Sequence, residues 1–478
     1  MSATKTVERH AAHVPYEPSK SKSSIAVFAL PIGGPSLEAG SSIMMADLNR
    51  DRIRNEAVSR KNVPADETPV NLNGFDMSLR DERLFLASLC LCLFLAGWND
   101  ATLGPLLTRI RESYGIDYTV VSLLFICQCT GFIAGAGFNL YLTDRFGFGK
   151  LLVAGAAIQV AMYAIMSPPP PFPVLCITYV INGFVIAVQD AQANTFIACI
   201  PRNGSTNMGI LHSIYGFGGF TSPWVATQFA SRRRWSFHFL VSMSIAVLNT
   251  ILFTYMFRGK RQEYFIPEST HTNENGEPQT EQTTQTKYKL ILRHRSVQLL
   301  SAYILVYLGA GTTIGGWIVT YLQQRRNGGP SAGYVSSGFS GGLTLGRAVL
   351  IPLTKWIGSN RVIYVYLALA IALEATIWSV NSLIGNAIAV SFVGLFLGPM
   401  YPIAMIVASD IIPPRLLGGA IGFISAIGQA GSAIFPFLNG ALTNRFGVRV
   451  MEPLVVALLF ALMGIWYFTI NTKVSRVD

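Results

Sequence analysis

The chain has 478 residues, of which 51% are hydrophobic and only 13% charged, and its mean hydropathy is +0.42; this excludes an ordinary soluble protein. The formal net charge of +11 could suggest a nucleic-acid partner, but the basic residues concentrate in tails and loops. A membrane-apposed face accounts for them better, and no nucleic acid is expected.

Residues 1–83 are polar, rich in Ser, Pro, Asp and Arg, and show no sustained periodicity beyond the apolar patch Ile25–Gly34. They read as a disordered cytoplasmic tail. No signal-peptide pattern opens the chain, because the first strongly apolar span begins near Leu84. From there, apolar runs long enough to cross a hydrocarbon core of ~30 Å recur. Six helices are expected at about 84–106, 120–142, 150–166, 172–197, 208–229 and 237–257, forming an N-terminal bundle over 84–257. A Thr-, Gln-, Glu- and Asn-rich stretch over 258–296 reads as a cytoplasmic linker. Six more helices are expected at about 297–322, 334–356, 362–380, 383–409, 416–438 and 453–470, a C-terminal bundle over 297–471 followed by a short tail, 472–478. The fold class is therefore all-α integral membrane, with twelve transmembrane helices as two six-helix repeats.

An even number of spans puts both ends on one side, together with the linker's Arg258, Lys260, Arg261, Lys287, Lys289, Arg293 and Arg295; that side is expected to be cytoplasmic. Arg232, Arg233, Arg234, Arg325, Arg326, Arg445 and Arg449 fall on the outer side against this rule. The sequon Asn203-Gly204-Ser205 falls in a cytoplasmic loop and is expected to be unused. The six cysteines lie in or beside spans, and Cys90-x-Cys92 and Cys127-x-Cys129 put neighbours on different helix faces. They read as packing residues, with no metal and no cofactor expected.

The turn Leu142-Thr143-Asp144-Arg145-Phe146-Gly147 has a counterpart 211 positions later in Leu353-Thr354-Lys355-Trp356-Ile357-Gly358, and Lys150 and Arg361 open the helices that follow. The shared Leu-Thr-x-x-x-Gly points to an internal duplication. The first copy resembles the loop between the second and third helices of the major facilitator superfamily, whose pattern is roughly G-x-x-x-D-R-x-G-R-K. Phe148 and Gly149 stand where that family often has its first basic residue. The resemblance implies a conformational gate built on Asp144, Arg145, Gly147 and Lys150.

Charges within spans cost about 2.5–3.5 kcal/mol each and mark pathways or coupling sites. Here they are Asp100, Asp190, Arg347 and Glu374, with His212 if protonated. Helix one carries Asn99 and Asp100 before Gly104-Pro105; by the same 211-residue offset Asp100 corresponds to Gly311, Thr102 to Thr313 and Gly104 to Gly315. Helix four carries Gln189-Asp190-Ala191-Gln192-Ala193-Asn194. At ~1.5 Å per residue, Asp190, His212 and Arg347 come out at one depth, roughly 5–8 Å from the midplane on the cytoplasmic side. Asp190 is thus the expected partner of Arg347, either as a static brace or as a pair that forms and breaks during transport. Glu374, on a peripheral helix, is expected to snorkel or pack. Trp317, Tyr321, Tyr401 and Gln429 are candidates to stack on or hydrogen-bond a solute.

The stretches Asn99–Leu107, Gln189–Asn194, Ile314–Tyr321, Gly333–Arg347 and Gly398–Ile403 together resemble the fungal branch of this superfamily related to fucose permeases. Those proteins carry proton-linked carboxylates in helices one and four, which Asp100 and Asp190 match by position. Related fungal sequences often have Glu at the position of Gly311. The expectation is a monomeric alternating-access carrier of a small organic solute, proton-coupled, in the plasma membrane, with the vacuolar membrane as the alternative. Export of a fungal secondary metabolite is favoured over sugar-type uptake or an uncoupled uniporter, and a transporter-like nutrient sensor is the alternative of another class. No nucleophile–base set, metal-ligand set or phosphate loop suggests an enzyme.

Overall fold

A backbone in hydrocarbon must satisfy its own polar groups, and a chain of long apolar runs does so as helices. The computed structural model describes residues 79–199, 204–257, 292–412 and 414–474. Twelve long helical segments follow one another: α1 Leu79–Tyr114, α2 Tyr118–Phe146, α3 Phe148–Met166, α4 Phe172–Cys199, α5 Gly204–Ala230, α6 His238–Phe257, α7 Arg295–Arg325, α8 Tyr334–Val349 continued by Ile351–Ile357, α9 Ser359–Ser379, α10 Leu383–Ile411, α11 Pro414–Phe446 and α12 Met451–Val474. Most of the expected tail 1–83 and linker 258–296, and Asn203 of the sequon, lie outside the described residues.

Ten of the twelve are long and apolar enough to cross a membrane on those criteria alone. The other two are α5 and α8. α8 is not the continuous helix expected: it stops at Val349 and restarts at Ile351, with Pro352 in the first turn of the new segment. Proline there has no N–H to continue the ladder. α10 is likewise interrupted at Gly398-Pro399.

The duplication is visible in the packing. Within the first half α1 packs on α5, α2 on α4 and α3 on α6; within the second, α7 packs on α11, α8 on α10 and α9 on α12. The halves meet along α1–α7, α2–α11 and α5–α8. The repeated turns match as well. Gly147 has φ 81° and ψ 154°, and its N–H bonds Thr143 O at 2.8 Å; Gly358 has φ 88° and ψ 141°, and its N–H bonds Thr354 O at 2.9 Å. A third turn of this kind closes α11, where Gly447 has φ 80° and bonds Thr443 O at 2.8 Å. Its sequence, Asn439-Gly-Ala-Leu-Thr-Asn-Arg-Phe-Gly447, repeats Asn139-Leu-Tyr-Leu-Thr-Asp-Arg-Phe-Gly147 at an offset of 300 residues.

The face where α6 ends and α7 begins is called the linker face below, and the opposite one the far face.

Candidate solute cavity and far-face clasp

α1, α2, α5, α7, α8 and α11 enclose a cavity of about 140 Å³ between the halves. Asp100 reaches into it from α1 and is exposed there. Its Oδ1 accepts a hydrogen bond from Gln128 Nε2 at 2.7 Å, and its Oδ2 accepts one from the Tyr215 hydroxyl at 2.5 Å. Both donors are neutral, so these contacts orient the carboxylate without cancelling its charge. On the second half's side the cavity is lined by Tyr307, Thr312, Ser336, Ser340 and Gln429, with Phe125 and Phe339 supplying apolar faces. Gln429 Oε1 is buried and has no hydrogen-bond partner. Gly311, the positional counterpart of Asp100, also lines the cavity, and a Cβ there would have nothing within 4 Å.

The remaining predicted residues do not line this cavity. Asn99 turns away from it: its Oδ1 accepts from Asn182 Nδ2 at 2.9 Å and from the Tyr163 hydroxyl at 3.3 Å, inside the first bundle. Gln189 Nε2 donates to Leu152 O of α3 at 3.4 Å. Asp190 is half-buried, and its Oδ1 accepts from Asn194 Nδ2 at 3.0 Å. His212 is 1% exposed with neither ring nitrogen hydrogen-bonded. Arg347 is 4% exposed; its Nε donates to Gly398 O at 3.3 Å, at the interruption of α10, and its guanidinium lies against the Tyr307 hydroxyl. It therefore stands immediately behind one wall of the cavity. Tyr401 is within 3.2 Å of Ser425 Oγ, and Trp317, fully buried, donates from Nε1 to Pro436 O at 3.1 Å. Tyr321 packs at the far-face end of α7, where Arg326 Nη2 donates to its hydroxyl at 3.4 Å. Glu374 does not snorkel: it is 1% exposed, enclosed between α9 and α12.

Asp144, Arg145 and Lys150 are exposed at the linker face, and Arg145 Nη1 donates to the Tyr141 hydroxyl at 3.0 Å. One turn inside the helix, Gln192 of α4 donates to Asn139 Oδ1 at 2.7 Å and to Thr143 Oγ1 at 2.6 Å, which fastens the end of α2 to α4.

Cross-half hydrogen bonds among the described residues sit at the far face or at mid-depth. Thr108 and Thr320 meet at 2.9 Å, Gln324 bonds Tyr118, Gln228 bonds Tyr334, and Cys129 donates to Gln429 O at 3.2 Å. Glycines let the backbones approach at the same end. A Cβ on Gly104 would overlap the Gly315 carbonyl oxygen, one on Gly333 the Thr227 hydroxyl, and one on Gly440 the Ser122 hydroxyl. The cavity is thus shut off from the far face.

Two six-helix halves related by duplication, with a cavity between them that carries one carboxylate and is shut at one end, are the build of an alternating-access carrier. The family model of the Major Facilitator Superfamily matches residues 89–391. The chain belongs to the Major Facilitator Superfamily.

Among curated relatives, this superfamily member is 28% identical over 400 residues to Bypass of stop codon protein 6 of Saccharomyces cerevisiae, covering 78% of this chain and 80% of that one. It is 30% identical over 139 residues to Sodium-dependent glucose transporter 1A of Mus musculus, covering 27% of this chain and 31% of that protein. Among solved structures it resembles a bacterial homolog of the human lysosomal transporter Spinster in an inward-facing, unoccupied conformation. That likeness has a TM-score of 0.67 at 13% identity and covers 84% of this chain and 99% of the other.

Gln128, Tyr215 and Tyr307 are cavity residues that sequence reasoning did not single out. Each is a lone polar residue in an apolar helix, and nothing local separates such a residue from one satisfied in the core. The Asn439–Gly447 repeat was findable, because it follows from sliding the chain against itself by 300 residues.

Proposed function

We propose that this transporter carries a small, hydroxyl-rich, uncharged solute, and that a proton on Asp100 accompanies it. The observation that carries the reading is the Asp100 carboxylate, oriented in a largely apolar cavity by two neutral donors and facing the hydroxyl-bearing Tyr307, Thr312, Ser336 and Ser340 of the second half. The free volume of 140 Å³ holds on the order of ten waters, which matches a monosaccharide-sized solute better than a bulky secondary metabolite. Phe125 and Phe339 offer the apolar faces that the C–H side of a sugar ring packs against. The mouse relative's name, a glucose transporter, points the same way. These features favour sugar-type uptake over metabolite export.

Protonation of Asp100 removes a charge from the cavity and so biases the equilibrium between the two access states. Taken with both chain ends cytoplasmic, the cross-half contacts at the far face support an inward-facing reading of this conformation. The site residues proposed are Asp100, Gln128, Tyr215, Tyr307 and Gln429, with Arg347 fixing the wall behind them. The test is uptake of a labelled panel of sugars, polyols and secondary metabolites into vesicles, with and without an imposed proton gradient. Gradient-driven accumulation of one sugar or polyol supports the reading; accumulation of a charged or bulky metabolite instead, or equilibration indifferent to the gradient, overturns it.

A further inference from the structure

Away from the solute cavity, the far-face end of the second half encloses another pair of acids. Glu374 on α9 is 1% exposed and Glu452 on α12 is 0% exposed. Their carboxyls lie within hydrogen-bonding reach of each other. Glu374 Oε1 and both carboxylate oxygens of Glu452 are buried and receive no hydrogen bond from any donor among the described residues.

The guanidinium that faces the pair is that of Arg326, from the end of α7. All three of its nitrogens are engaged elsewhere. Nη1 donates to Asn381 Oδ1 at 3.1 Å, and Nη2 donates to Ile377 O at 2.6 Å, Trp378 O at 3.0 Å and the Tyr321 hydroxyl at 3.4 Å. With the Asn386 amide oriented to satisfy its neighbours, Nε donates to its oxygen at 3.0 Å. The other titratable groups near the pair, Tyr321 and Arg325, also come from α7. α10 contributes the neutral Asn386, and Arg449 on the α11–α12 turn is exposed to solvent.

Two carboxylates side by side and out of water cannot both stay ionised, and three buried acceptor oxygens need a donor that no side chain among the described residues provides. We propose that Glu374 and Glu452 hold one proton between them, a proton-binding site separate from the solute cavity. The shared proton is the missing donor, and it leaves one negative charge opposite one guanidinium.

The site also bears on the clasp. Arg326 ties the end of α7 to the last carbonyls of α9, and the same end of α7 supplies Thr320 and Gln324 to the cross-half contacts. Loss of the proton sets two negative charges against Arg326 and draws it off those carbonyls. The far-face clasp is thereby tied to proton concentration.

The experiment is infrared spectroscopy and thermal unfolding of the full chain in lipid nanodiscs, as wild type, D100N, E374Q and E452Q. At neutral pH a protonated-carboxyl C=O band is expected in the wild type and in D100N. In E374Q and in E452Q it should vanish, because the amide supplies the hydrogen and the remaining carboxyl ionises. A proton kept in the folded state beyond the unfolded range stabilises at low pH and is lost as pH rises. The wild-type unfolding midpoint should therefore fall toward alkaline pH, and the single Gln variants should lose that decline. A wild type without the band at neutral pH, a band that both Gln variants retain, or a band lost in D100N alone would each overturn the proposal. Should either Gln variant fail to fold, wild type and D100N still decide it.

Discussion

Gly104 and Gly315, 211 positions apart in the chain, meet across the boundary of the two halves so closely that a Cβ on Gly104 would overlap the Gly315 carbonyl oxygen. Forcing a methyl into such a contact costs typically ~1–3 kcal/mol, and in an alternating-access cycle that cost falls on the state with the halves clasped at this point. Gly104→Ala is expected to disfavour this state by about 5- to 150-fold. Solute flux should fall at least several-fold while the purified protein stays monodisperse. Gly464→Ala, at an exposed position of α12 with nothing within 4 Å of the added carbon, is the control and should transport normally. Equal flux from both variants would mean that the glycine contact does not limit the cycle.

Asp100→Asn keeps the shape and the contacts to Gln128 and Tyr215 but fixes the site as neutral. Concentrative uptake driven by a proton gradient is expected to drop more than tenfold, while exchange of labelled for unlabelled solute persists. The pH dependence of uptake should flatten in parallel. Undiminished accumulation in the variant would move proton coupling to another group.

Asn99 neighbours Asp100 but serves the bundle interior. Asn99→Ala leaves the Asn182 amide and the Tyr163 hydroxyl without their shared acceptor, at a cost of about 1–3 kcal/mol. A lower unfolding temperature with an unchanged KM is the expected result. A raised KM at unchanged stability would instead make Asn99 a solute ligand.

Gly147, Gly358 and Gly447 occupy the left-handed region, with φ of 81°, 88° and 80°. With ψ of 154°, 141° and 170° this backbone is open essentially to glycine alone, and a side chain there costs on the order of 1–3 kcal/mol. Gly147→Ala and Gly358→Ala should each lower the unfolding temperature of the purified protein by a similar amount, because the two turns share one geometry. A large difference between them would show that the halves fold with different demands at this turn.

Much of this architecture is legible in the sequence, because helix count and the duplication rest on long-range regularities that no single residue can blur. The interruption of α8 was less so: Leu350-Ile351-Pro352 sits inside a run apolar enough to read as one helix. Side-chain direction was the harder problem. Asn99 and Asp100 are adjacent, yet ~100° of helical rotation sends one into the bundle and the other into the cavity. Glu374 was underread for a similar reason: its partner, Glu452, is 78 residues away and on another helix. A lone acid on a supporting helix gives no local sign of a second one facing it.

The far-face clasp also has an electrical side. A membrane voltage falls across whatever insulates the two aqueous phases. With the halves sealed by Gly104 against Gly315 and Thr108 against Thr320, that insulator is concentrated in the short stack of residues between the cavity and the far face. A charge on Asp100 lies on the cavity side of this thin dielectric. Switching the seal to the other end carries that charge through the field, at about 2.3 kcal/mol per elementary charge per 100 mV. On the proposed reading, with Asp100 ionised in the empty carrier, the resting potential of the membrane would help set the balance of its two access states.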